Sequence, residues 1–241
     1  MPFYVPPEQA MKDKADYARK GIARGRSLVA TVYGEGILLA AENTSRALHK
    51  IAEIYDRIAF AGVGRFNEFD QLRVAGVRHA DSKGFAYSRE DVDARSLANG
   101  YAQAIGQVFT HDLKPLEVEI LVAEVGMDGL ANQLYHILYD GSMADEDRFC
   151  VLGGDADAIA ELLEASWREG WSMSQALGAA VAALAGGSRT LGPGELEVAV
   201  LDSTQSRRAF RRILGDELVT ALAAGPPTGS AGAALAPPPS P

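Results

Sequence analysis

The sequence predicts a four-layer α/β/β/α sandwich of the α+β class, folded as one domain, and three observations lead there. Blocks of short strands alternate with pairs of amphipathic helices, those strands read either as apolar runs (28–33, 37–41, 57–63) or as alternating segments (116–125, 195–201), and no long linker divides the 241 residues. Two sheets packed face to face, with helices on both outer faces, bury every apolar surface in that order of elements.

The elements follow in turn. Residues 1–7 contain PFYVPP, three prolines and two aromatics, which reads as an extended arm unable to join a central ladder. Met11, Ala15, Ala18 and Ile22 then recur at helical spacing among Lys12, Asp13, Lys14, Asp16, Arg19 and Lys20, an amphipathic helix weakened and ended by Gly21 and Gly25. Apolar runs at 28–33 and 37–41 flank Gly34-Glu35-Gly36 and read as a hairpin, and 57–63 reads as a further buried strand. Phe66, Phe69, Leu72, Val77 and Ala80 trace one helix face. Ser88 with Asp91 resembles a capping box before a second helix, whose apolar positions run from Leu97 to Phe109 with a 3.6-residue period.

After Pro115 the pattern predicts strands over 116–125, 133–139 and 149–152, with a turn at Asp140-Gly141. A helix from about Asp155 is expected to bury Ile159, Leu162, Leu163 and Trp167, and another runs from about Ser174 through Leu177, Val181 and Leu184 to Gly186-Gly187. Strands at 195–201 and 208–213 and a helix at about 216–223 close an expected domain of residues 8–223. Residues 224–241 carry no charge and many prolines, so they are expected to be a disordered tail.

Composition removes several function classes. A balance of 23 basic against 32 acidic side chains, net −9, argues against a nucleic-acid partner, since backbone binding needs a concentrated basic face. The single Cys150 permits no internal disulfide, and no run of about 18 apolar residues or secretory leader pattern is present, so a cytoplasmic, non-membrane protein is expected. His49, His79, His111 and His136 share no metal-ligand spacing with one another or with Cys150, so neither a metal nor a cofactor is expected. Gly62-Val63-Gly64 and Gly153-Gly154 do not complete a phosphate-binding glycine motif. Arg207, Arg208, Arg211 and Arg212 read as a solvated or subunit-facing strand edge.

YARKGIARGRSLVATVYGEGILLAAEN, followed by LHKIAEIYDRIAFAGVGRFNEFDQL, resembles the α-type subunits of the actinobacterial proteasome. The similarity extends over about residues 3–220 and takes in LYDGSMADE and LEVAVLD. It implies the amino-terminal-nucleophile hydrolase fold with an extra amino-terminal helix. In that family seven α subunits form each outer ring of a barrel-shaped protease whose inner rings are catalytic β subunits. The implied role is a non-catalytic one: to gate the entry of protein substrates and to receive the carboxyl-terminal tails of an activator ATPase ring.

By the same resemblance Pro2, Phe3, Tyr4, Val5, Pro6 and Pro7 form the gate arm. Lys50 matches the family lysine that lines the activator pocket between neighbouring α subunits, and the Met11, Ala15, Ala18 and Ile22 face becomes a ring-building surface. The Tyr-Asp-Arg motif of archaeal and eukaryotic gates is missing near residue 4; Tyr55-Asp56-Arg57 has the same letters and reads as structural. The competing reading is an active β-type peptidase. That chemistry needs a threonine freed by cutting a Gly-Thr bond, because the new α-amine acts as the base for the hydroxyl. No Gly-Thr pair occurs, and the matching position falls at Arg26 or Ser27, so no catalytic residue is assigned although Glu42 and Lys50 resemble the acid and lysine of catalytic relatives.

Overall fold

A computed structural model describes residues 6–126, 129–187 and 189–225. The arm residues Pro2, Phe3, Tyr4 and Val5, and the expected tail from 226 onward, lie outside the described residues. In chain order the elements are α1 (Pro7–Ile22), β1 (Leu28–Tyr33), β2 (Gly36–Glu42), β3 (Ile51–Tyr55), β4 (Ile58–Gly64), α2 (Phe66–Ala86) and α3 (Ala94–His111). There follow β5 (Val118–Glu124), β6 (Gln133–Ile137), β7 (Met143–Glu146), β8 (Phe149–Leu152), α4 (Ala156–Ser166), α5 (Met173–Ala185), β9 (Leu196–Asp202), β10 (Phe210–Ile213) and α6 (Gly215–Ala224).

The strands form two five-stranded antiparallel sheets, ordered β10-β9-β2-β1-β8 and β3-β4-β5-β6-β7. Central strands are buried on both faces, which is why β1, β2 and β4 read as apolar runs; β5 and β9 read as alternating because Glu119 and Glu197 interrupt them, yet both carboxylates are buried. On one face Leu28, Ala30, Ile37, Leu39 and Ala41 meet Ala59, Ala61, Leu121 and Ala123 of the other sheet to make the inner core. On the opposite face Val29, Leu38, Ala40, Val198 and Val200 pack under α4, α5 and α6, while Ile58, Phe60, Ile120 and Val122 pack under α2 and α3. The four layers are those the pattern of elements predicts.

Helix α5 is buried along most of its length and starts with a reciprocal capping box between Ser172 and Gln175. Phe60 is 1% exposed and its ring lies 5.7 Å from that of Tyr101, joining the second sheet to α3. Phe60→Ala is expected to cost about 3–5 kcal/mol, read as a lowered urea midpoint with an unaltered slope.

Several local expectations are corrected. Strands β3 and β7 stand apart from the runs named above. The first is a half-buried edge strand and the second, Met-Ala-Asp-Glu, is nearly all exposed, so neither has an apolar pattern to read. Ser88 caps only a short 3-10 turn at Arg89–Asp91; α3 is capped by Asp93, whose carboxylate accepts the Ser96 N–H at 2.7 Å. Leu162 is exposed because the buried stripe of α4 is the narrow one through Ile159 and Leu163, and Trp167 is the half-buried residue that ends the helix. Helix α1 runs through Gly21 and takes in Pro7 as its first residue, with Pro6 at the N-cap, so the arm passes into helix before residue 8.

Candidate functional site

Helix α1 packs against the inner core beside β4 and β5 and is tied to its own chain. Ala18 and Ile22 are buried in the inner core and Ala15 packs against it. The apolar stripe expected to build a ring is therefore largely used internally, and Met11, 38% exposed, is the member left open. Lys14 Nζ donates to the Phe109 carbonyl at 2.9 Å, placing a cation at the carboxyl end of α3. The Arg19 guanidinium sits 5.5 Å from the Tyr139 ring centre, and the Lys114 ammonium 5.9 Å from that of Tyr17. At Gly21 a Cβ would lie 2.2 Å from Glu117 Oε2, so α1 and the Glu117 side chain are in close contact there and any larger residue would displace that side chain.

Just beyond α1 the chain enters a cluster of charges. Lys50 precedes β3, and its Nζ donates to the Arg26 carbonyl at 2.5 Å. Arg26 Nη1 donates to Glu42 Oε1 at 2.5 Å, at the end of β2. Arg189 holds the same carboxylate through two bonds of 3.1 and 3.2 Å. Glu197, at the start of β9, accepts from Asn43 Nδ2 at 2.8 Å, the Lys50 N–H at 2.9 Å, the Ile51 N–H at 3.2 Å and Arg212 Nη1 at 2.8 Å. His49 Nδ1 lies 3.2 Å from its Oε1. Four cations (Arg26, Lys50, Arg189, Arg212) against two carboxylates (Glu42, Glu197) leave two positive charges before any on His49.

Burial pushes the Lys50 ammonium down to about 8; Glu197 and Glu42 resist the shift and Arg26 adds to it. Burial alone would raise Glu197, but the Asn43 amide, the Lys50 and Ile51 N–H groups and Arg212 together hold it below the usual carboxylate range. Glu42 is likewise kept low against burial by Arg189 and Arg26. The cluster can accept an anion at its partly open cationic rim while its two carboxylates stay ionised.

At the position resembling the β-type nucleophile there is thus an arginine paired with Glu42, within a continuous chain whose Gly25 N–H bonds the Ile22 carbonyl at 2.8 Å. Thr31 is buried. His136 pairs with Glu119 at 2.6 Å, and no group of three or more metal-ligating side chains occurs among the described residues. A Cβ at Gly64 would lie 2.0 Å from the Glu117 carbonyl and one at Gly153 2.9 Å from Ser27 Oγ, so both turns serve close packing. In the basic run Arg208 pairs with Glu53, Arg211 with Glu217 and Arg212 with Glu197, which makes it a strand edge of ion pairs. Tyr55-Asp56-Arg57 closes the β3–β4 turn, Asp56 with Arg89 and Arg57 with Glu124, and its role is structural. No helix among the described residues is long and apolar enough to cross a membrane.

Sequence reasoning singled out Lys50 and missed Asn43, Arg189, Glu197 and Arg212. The available signal was Glu197 itself, an acid in a strand otherwise buried on both faces.

A profile of the family described as "Proteasome subunit" matches residues 22–201. The chain is 62% identical over 222 residues to a protein of Acidimicrobium ferrooxidans named proteasome subunit alpha, covering 92% of this chain and 96% of that one. It is 57% identical over 229 residues to the protein of the same name from Xylanimonas cellulosilytica, covering 90% and 94%. For that of Sanguibacter keddieii the identity is 57% over 237 residues, covering 96% and 92%.

Proposed function

The chain belongs to the proteasome subunit family as a non-catalytic α subunit, and from that premise we propose that it builds the heptameric outer rings of the core particle, gates substrate entry and docks the activator ATPase. The threonine-type peptidase activity resides in partner β subunits, and the particle degrades proteins in the cytoplasm. Residues Pro2 to Pro6 close the pore, with Pro7 starting the helix that carries them. Phe3 and Tyr4 fill volume at low entropic cost, and the prolines present few backbone donors. Met11 is the part of the α1 stripe that faces a neighbouring subunit.

The observation that carries the docking role is the hydrogen bond from Lys50 to the Arg26 carbonyl, a few residues beyond the end of α1. A terminal carboxylate arriving between subunits pairs with the Lys50 ammonium and competes with that carbonyl. The segment linking pocket and arm-bearing helix is then released. The equilibrium moves toward an open ring only by the tail's differential affinity for the two states.

The test is the native mass of this chain alone and co-expressed with its β partner, with peptide hydrolysis assayed on each sample. A large particle that cleaves peptide only with the partner is the expected result. A small, active species from this chain alone would replace the reading with that of an independent β-type peptidase.

A further inference from the structure

We infer that Glu197 is the positioning residue of the Lys50 pocket: a buried carboxylate of one sheet that fixes the backbone of the other where it presents the ammonium. The inference rests on the docking role proposed for Lys50. Glu197 lies on β9 of the first sheet, and it accepts the N–H groups of both Lys50 and Ile51, where β3 of the second sheet begins. Its side chain is 8% exposed, and its other contacts are Asn43 Nδ2, Arg212 Nη1 and His49 Nδ1. Asn43 also donates to the Leu48 carbonyl at 2.7 Å, and Arg212 to the Ile51 carbonyl at 2.6 Å. The loop bearing Lys50 is therefore clamped at both ends by groups that converge on one carboxylate.

The choice of an ion here needs a reason, because a buried carboxylate is costly unless its oxygens are filled. A glutamine of the same length would offer one acceptor oxygen where donors fill two, would point its NH2 at N–H groups and would carry no charge. Glu197 from β9, Glu42 from β2 and Arg26 from the segment before β1 act on Lys50 directly, while His49 of its own loop and Arg212 of β10 contact Glu197 and Arg189 of the segment after α5 contacts Glu42. Of these, Glu197 and Glu42 favour the ammonium, and Glu42 is already shared by two arginines. Glu197 thus serves both reach and charge, and only the aspartate variant alters the first while keeping the second.

Glu197→Gln keeps the length, removes the charge and turns one of the two acceptor oxygens into an NH2 that faces N–H donors; Glu197→Asp keeps the charge and both acceptors and withdraws them by one methylene. The assay is binding of a labelled peptide, copied from the ATPase carboxyl terminus and ending in a free carboxylate, to the assembled particle across pH 6.5–9.5, with Lys50→Ala alongside. For Glu197→Gln the pH at which binding is lost moves down by roughly one unit, a tenfold effect at fixed pH. Glu197→Asp weakens binding roughly tenfold at all pH values with a smaller displacement of the profile. If Lys50→Ala abolishes binding while both Glu197 variants bind with the wild-type profile, the inference is wrong and the docking role stands. If Lys50→Ala itself binds normally, the docking role and this inference fall together. Should neither Glu197 variant assemble, Asn43→Ala decides: weaker binding upholds the clamp, and unchanged binding overturns it.

Discussion

Lys50→Ala is expected to bring ATPase-stimulated peptide hydrolysis down to the unstimulated rate. Among the described residues the Lys50 ammonium has the Arg26 carbonyl as its one acceptor, so it can exchange a neutral oxygen for a charged one. Losing one partner of such a partly buried charge pair costs about 2 kcal/mol per tail, roughly thirtyfold in affinity. Several tails engage one ring, so the per-site loss compounds and stimulation disappears at any practical ATPase concentration. The pH dependence has a definite sign. With the free ammonium titrating at about 8, docking takes up a proton above that pH, and stimulation declines through pH 8–9 while it holds below. Lys50→Arg keeps its charge throughout that range and removes the decline. Retained stimulation in Lys50→Ala, measured on intact particles, would assign the pocket elsewhere.

What the sequence disclosed and what it hid have physical causes. Strand β1 was legible to the residue, since an apolar run bounded by a turn glycine has no other stable use inside a sandwich. Helix α3 is legible from its 3.6-residue period, but its cap is not, because Ser88 and Asp93 stand five residues apart and only backbone geometry selects Asp93. The stripe of α1 shows why an amphipathic helix says little about its partner. The spacing of Ala18 and Ile22 is the same whether they meet their own core or a neighbouring subunit, and only the tertiary contacts of Lys14, Tyr17 and Gly21 decide. At the site, Lys50 came from resemblance, whereas its supports are Asn43 of its own loop and the distant Arg189, Glu197 and Arg212, which only the fold brings together.

Deleting residues 2–5 is expected to accelerate peptide hydrolysis by the assembled particle about tenfold without the ATPase. A closed gate favoured by about 1.4 kcal/mol leaves the pore open roughly one-tenth of the time, and removing the plug abolishes that restriction. The deletion should stop at Val5. Pro6 is the N-cap of α1 and its carbonyl accepts the Ala10 N–H at 3.1 Å, while Pro7 supplies the preset backbone of the first turn. A longer cut would fray the helix and confuse a gate effect with loss of ring packing. The informative quantity is the ratio of stimulated to unstimulated rates. Docking at Lys50 is untouched by the deletion, so the ATPase still binds but finds no closed gate to open, and the ratio approaches one. An unaccelerated deletion particle would mean that this arm does not close the pore, and the control of entry would have to lie in the ring itself.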